Sequence, residues 1–214
     1  MANKKFLFLV FFSILWALRA QNELNPAASI IEKTCQKYNT LSTFSLDFKA
    51  TVEKDKKISQ TMKGVLVVKK EKYLITFEDQ IIANDGKTIW NYQKDIHEVS
   101  LFEAEDDDFL IFHPTTMLNR WADDYTAKFI REEEIQKKNM IIVDLTPRKN
   151  SSFYKIRLFI EKNSSYIQKI MMFNKDETTI SYIITKFTPN TTISDTQFIF
   201  NKNDYPHVQV NDMR

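Results

Sequence analysis

His97, His113 and His207 are the imidazoles this sequence offers for acid–base work or metal binding, and they stand far apart in the chain. A metal site draws its ligands from short, fixed spacings, so scattered histidines of this kind are expected at the surface. Cys35 is the only cysteine. It can make no internal disulfide, it does not directly follow an apolar run as a lipid-modified cysteine would, and it is expected to be a small buried side chain. Glu103, Glu105, Asp106, Asp107 and Asp108 form an acidic run without the Asx-Gly order of a calcium loop. A solvated loop is the expectation there.

Gly64 and Gly86 are the only glycines. Phosphate-cradling loops and dinucleotide folds need several at fixed spacing, because bare backbone must approach the ligand, so those classes are excluded. No Gly-x-Ser-x-Gly elbow marks a hydrolase. The 28 acidic residues single out no carboxylate pair. The chain is therefore expected not to be an enzyme, and no metal or cofactor is expected. The tripeptides starting at Asn150, Asn163 and Asn190 fit the glycosylation pattern, which has meaning only in a eukaryotic secretory pathway.

What the sequence does offer is apolar surface. It carries 17 Phe, 8 Tyr and 3 Trp, many paired along single strand faces. Phe44, Leu46, Phe48, Ala50 and Val52 alternate with Ser45, Asp47, Lys49 and Thr51, the pattern of a half-buried strand. Leu66 and Val68 mark the next strand, from near Ile58. Tyr73, Ile75 and Phe77 mark the one after, and Asn84-Asp85-Gly86 is a tight-turn signal. Thr88, Trp90 and Tyr92 then share a face. Further strands are predicted over Ile96–Phe102, Tyr125–Arg131, Asn139–Thr146, Tyr154–Glu161, Tyr166–Asn174, Thr178–Phe187 and Phe198–Phe200, with a short Val208–Val210 segment. Two helical stretches stand among them. Asn25-Pro26 opens a helix whose Ala27, Ile30, Ile31, Cys35 and Tyr38 form one apolar face, and a short helix starts near Pro114.

The fold expected is mainly β with some α: about 11 antiparallel strands in one curved sheet or open, half-closed barrel, an N-terminal helix and short helices. So few helices cannot cover so much aromatic face, and either barrel closure or a ligand must do so. An outer-membrane barrel would need a second apolar face, yet Asp47, Lys49 and Glu53 occupy it. A lipocalin would carry an early Gly-x-Trp motif, which is missing.

The first residues read as a secretory signal peptide over 1–20: Lys4 and Lys5, the apolar run Phe6–Leu18, then Arg19-Ala20. A retained anchor is the alternative, because Leu18 is large for its place before the cut. The segment holds three of the 30 basic residues and none of the 28 acidic ones, so 27 and 28 remain. That balance leaves no electrostatic footprint for nucleic acid. Residues 21–214 are expected to form one domain.

Several stretches, in order, resemble one family. They are Ser42–Phe48 after the first helix, Gly64–Lys70, Tyr73–Phe77, Pro114 with Met117-Leu118, Leu145-Thr146-Pro147, and Phe198–Phe200 through Tyr205–Val210. The most specific is Asp85-Gly86-Lys87-Thr88-Ile89-Trp90-Asn91-Tyr92. Together they are similar to the LolA family of periplasmic outer-membrane lipoprotein carriers. The resemblance implies a half-barrel whose concave side holds lipoprotein acyl chains under a helical lid. It implies an exported, periplasmic, monomeric carrier that takes cargo from an inner-membrane ABC transporter to an outer-membrane acceptor or the membrane. The expected cavity lining is Phe44, Leu46, Phe48, Leu66, Val68, Tyr73, Ile75, Phe77, Trp90 and Tyr92, and the expected lid is Met117, Leu118 and Trp121. Glu at Phe48 or Trp90 is then expected to remove lipid binding. Where the family often places a lid-tethering Arg, this chain reads Lys69-Lys70-Glu71-Lys72, and Lys70 is the candidate donor, without the bidentate fork of Arg. The alternative function is a periplasmic lipid-sensing or stress-signalling module on the same half-barrel. Such modules usually carry a second domain, and this chain ends about where one half-barrel would.

Overall fold

Strand β1 (Thr43–Lys54) sets the pattern of the whole sheet. Phe44, Leu46, Phe48 and Ala50 are buried, and the residues between them are more exposed. The computed structural model describes residues 26–104 and 113–214. The expected signal peptide, the Asn25 cap and the acidic run from Glu105 to Asp108 lie outside the described residues.

Two antiparallel meanders make up the sheet. The first is β1, β2 (Lys57–Lys69), β3 (Lys72–Phe77), β4 (Gln80–Asn84), β5 (Thr88–Gln93) and β6 (Glu98–Glu103). The second is β7 (Tyr125–Ile135), β8 (Lys138–Pro147), β9 (Phe153–Glu161), β10 (Ile167–Asn174) and β11 (Thr179–Pro189). Pairing of β1 with β11 joins them into one 12-stranded sheet, in the order β12-β6-β5-β4-β3-β2-β1-β11-β10-β9-β8-β7. The sheet curls but does not close, since β12 and β7 are its two edges. With two glycines in all, two hairpins turn on non-glycine residues at positive φ. Asp55 and Lys56 stand at 51° and 61°, and Gln136 and Lys137 at 51° and 63°. Paired positive values are those of the type I′ turn, whose twist matches its strands.

Register carries the apolar face of β1 across the sheet. Leu46 pairs with Leu66, Leu66 with Ile75, and Ile75 with Ile82. On the other side Phe48 pairs with Ile184 and Ala50 with Tyr182, and Tyr182 leads on through Ile170, Leu158 and Val143 to Phe129. Side chains alternate strictly between faces, so these residues share one side and form the main core.

Helix α1 (Ala27–Asn39) lies on that side. Its buried residues Ala27, Ile31, Thr34 and Tyr38 recur every three or four positions, a single stripe. Thr34 joins the stripe because its hydroxyl donates to the Ile30 carbonyl at 3.0 Å. Tyr38 ends it, with its ring edge-on to Phe44, Tyr166 and Phe187 at 5.5, 5.6 and 6.0 Å. Each such pair adds about 0.5–1.5 kcal/mol beyond burial.

Strands β6 and β7 stand near opposite ends of the sheet, so the chain between them must cross it. Helix α2 (Pro114–Asn119) and helix α3 (Trp121–Asp124) lie on this crossing. Met117 and Leu118 are buried in the main core, which puts α2 over the concave face.

Two sequence expectations change at the C-terminus. Phe198–Phe200 is not a strand: Asp195–Phe198 is a 3-10 turn with Phe198 fully buried. Lys69 and Lys72, 2.9 and 3.6 Å from the Asp195 carboxylate, hold that turn against the β2–β3 hairpin. The twelfth strand, β12 (Gln209–Asp212), runs parallel to β6 in an otherwise antiparallel sheet. A parallel partner needs a long crossover, and the segment after β11 supplies it.

Candidate ligand cavity

An apolar cavity of about 50 Å³ lies between the helices and the concave face. Strands β1 to β3 line it with Leu46, Phe48, Leu66 and Ile75. Ile167, Ile170, Tyr182 and Ile184 line it from β10 and β11, and the helices close it with Tyr38 and Pro114. Phe48 sits in the middle of this wall. Its ring is edge-on to Phe77 at 5.6 Å and to Tyr182 at 5.9 Å. Gly64 makes room for it, since a Cβ there would stand 2.5 Å from the ring. Burial pushes the Tyr182 phenol up to about 12, so it stays neutral at any physiological pH.

A second cavity of about 190 Å³ adjoins the first and shares Tyr38 with it. Phe44 and Val68 give it an apolar floor, and Asn39, Thr43, Lys70, Glu71, His113, Thr116 and Asn119 give it a polar rim. The rim groups are largely spent on each other. Asn39 Nδ2 donates to Asn119 Oδ1 at 2.8 Å, and the Cys35 thiol donates to the same oxygen at 2.9 Å. This clasp ties α1 to α2. Cys35 is therefore half-buried rather than buried as expected, and burial pushes its thiol pKa up.

His113 is the residue that sequence reasoning misplaced. Expected at the surface, it is only 4% exposed. Its Nδ1 accepts from the Thr116 backbone N–H at 3.1 Å and so caps α2, and its Nε2 donates to the Lys70 carbonyl at 2.9 Å. Lys70 thus meets the residue that caps α2 through its backbone carbonyl, in a turn where its φ is 55°. The signal for His113 was present as a residue beside Pro114 at a helix start, a capping position.

Eight of the ten expected lining residues sit together in the main core: Phe44, Leu46, Phe48, Leu66, Val68, Tyr73, Ile75 and Phe77. Met117 and Leu118 join them from α2, with Trp121 packed partly buried alongside. Trp90 and Tyr92 do not. Ile82 pairs with Asn91, so Asn91 faces the concave side and its neighbours Trp90 and Tyr92 face away. They belong to a separate cluster under the C-terminal segment, where Tyr92 packs on Tyr205 at 4.4 Å and Phe200 stacks on Tyr205 at 4.7 Å. Trp90→Glu is therefore expected to leave uptake of a fluorescent fatty acid within about twofold of wild type, because distant sites act independently. It should instead expose the C-terminal segment to proteolysis. Loss of uptake in a folded Trp90→Glu protein would restore Trp90 to the cavity.

The sequence-derived lining also omitted Ile167, Ile170, Tyr182 and Ile184, although their strands were predicted. Among the described residues, no group of three or more His, Cys, Asp or Glu side chains could hold a metal ion. No described helix is long and apolar enough to cross a membrane.

Residues 39–201 match the family described as "Outer membrane lipoprotein carrier protein LolA". The chain belongs to the LolA family. That span takes in every strand except β12, together with α2 and α3. An uncharacterized conserved protein from Thermus thermophilus shares the LolA-like fold, with a TM-score of 0.60 at 10% identity over 86% of this chain and 98% of its own. A LolA superfamily protein from Nitrosomonas europaea aligns over 81% of this chain and 97% of its own, with a TM-score of 0.47 at 12% identity. The Mycobacterium tuberculosis lipoprotein LppX aligns over 78% and 97%, also with a TM-score of 0.47 at 12% identity. The sequence matches no curated protein.

Proposed function

We propose that this LolA-family protein is an exported periplasmic carrier. It binds the acyl chains of lipoproteins in the concave cavity and shuttles them, as a monomer, from an inner-membrane ABC transporter to the outer membrane. The observation that carries this reading is an apolar cavity walled by both meanders and roofed by a short helix. Each methylene withdrawn from water is worth about 0.8 kcal/mol, so a 16-carbon chain resists an aqueous crossing by about 12 kcal/mol. A carrier must cover such chains and still let them go. Walls of Leu, Ile and Phe grip without direction, which suits one cavity to many cargo proteins.

A ligand site ordinarily offers about 300–1,000 Å³. The cavity of about 50 Å³ is thus a closed state, and cargo enters when the roof lifts and Phe48 swings aside. Mass spectrometry of the protein purified from a Gram-negative periplasm tests the reading. Co-isolated acylated lipoprotein is the expected result. A stoichiometric protein partner without lipid would turn the reading to a signalling module, and ester turnover by the purified chain would turn it to a hydrolase.

A further inference from the structure

His113 binds two partners whose chemistry leaves it one protonation state. The Thr116 N–H can only donate, so Nδ1 must be bare, and the Lys70 carbonyl can only accept, so Nε2 must carry the proton. The Thr116 hydroxyl stands 2.9 Å from the same Nδ1. One neutral ring thus caps α2 and fastens it to the β2–β3 turn. The helix has six residues, too few to persist without tertiary support. Pro114, the residue after the ring, is itself part of the cavity wall.

The geometry points to His113 as a proton-released pin: neutral, it holds α2 over the apolar cavity, and protonated, it lets the helix leave. A proton on Nδ1 sets donor against donor at the Thr116 backbone N–H and removes the cap, leaving the Thr116 hydroxyl as the acceptor in reach, and it puts a cation in a desolvated place. Among the described residues, the Glu71 carboxylate on the β2–β3 turn is the charged group that favours the cation. Lys70, beside Glu71 on the same turn, lines the adjoining cavity with His113 and is a like charge to an imidazolium. Tyr73 on β3 turns a ring edge-on to the imidazole at 5.6 Å, α1 brings Tyr38 and Asn39 to that cavity, and α2 carries no ionisable side chain. Burial outweighs Glu71 and holds the His113 pKa below its ordinary value.

The sign of the linkage follows. With α2 closed the imidazole titrates below about 6.5, and once freed it returns to about 6.5. The open form therefore binds more protons in the window beneath 6.5. Closure is at full strength above that value and is lost as pH falls toward the lowered one. Within the window the open population rises by up to about tenfold per pH unit. The use of this switch, to gate acyl-chain entry and release, rests on the carrier reading.

Hydrogen exchange of the wild-type protein and of His113→Gln at pH 7.5 and 5.5, corrected for intrinsic rates, tests the pin. Gln keeps a donor for the Lys70 carbonyl and does not titrate. In wild type the amides of Met117–Arg120 are expected to lose protection by up to about tenfold at the lower pH, while β9 stays unchanged. In the variant α2 is expected to behave alike at both pH values, whether held or free. A wild-type helix indifferent to pH overturns the pin, and so does a variant that keeps the wild-type pH dependence. A fluorescent fatty acid added in parallel separates the two readings: opening without uptake at either pH sustains the pin and counts against the carrier.

Discussion

Replacement of Phe48 by Glu is expected to abolish uptake of a fluorescent fatty acid. Phe48 is 6% exposed, packs on Phe77 and Tyr182, and lies between the two meanders in the cavity wall. A carboxylate there faces Leu, Ile and Phe side chains. Either it ionises at a cost of several kcal/mol or it stays protonated with unmet hydrogen bonds. Both outcomes repel an acyl chain, and both lower stability. Phe48→Ala separates the two effects. Losing the ring from a packed core costs about 3–5 kcal/mol, yet the cavity stays apolar and grows. The Ala variant should therefore melt lower and still take up the probe. Uptake by a folded Phe48→Glu protein equal to wild type would remove Phe48 from the binding site.

The second large effect is expected from Asn119→Cys. Asn119 Oδ1 lies 2.9 Å from the Cys35 thiol, so a single substitution supplies a partner for the only native cysteine. Oxidation then joins α1 to α2. The cavity is about 50 Å³, below the roughly 300–1,000 Å³ of an ordinary ligand site, so on the carrier reading the helices must separate or tilt to admit an acyl chain. Oxidised Asn119→Cys should lose uptake, and a reductant should restore it. Asn119→Ser, which cannot cross-link, is the control for the lost hydrogen bonds. Undiminished uptake in the fully oxidised protein would show that cargo enters without parting α1 from α2.

Much of the fold was legible because alternation is local. Residues two apart on a strand share a face whatever lies beside the strand. That rule placed Phe44, Leu46 and Phe48 together, then Leu66 with Val68, then Tyr73, Ile75 and Phe77, and all eight meet in one core. The stripe Ala27, Ile31 and Tyr38 was legible for the same reason at helical spacing. Family membership, carried by Asp85–Tyr92 and the ordered stretches around it, was legible as motif.

Trp90 and Tyr92 mark where local rules stop. Alternation says that they share a face and is silent on which one. Pairing of Ile82 with Asn91, three strands away from β1, turns them to the side opposite Phe48. The parallel docking of β12 on β6, and the aromatic cluster it shelters, likewise depend on partners distant in sequence. His113 shows the same limit in its chemistry. Its place before Pro114 marked a cap, but its second partner, a carbonyl 43 residues away, was not legible in the sequence. The one-dimensional pattern decides which residues are apolar and which share a face. The concave side, the roof over it and the protonation state of the ring that holds the roof are decided by contacts between distant segments, which only the folded chain brings within hydrogen-bonding and van der Waals range.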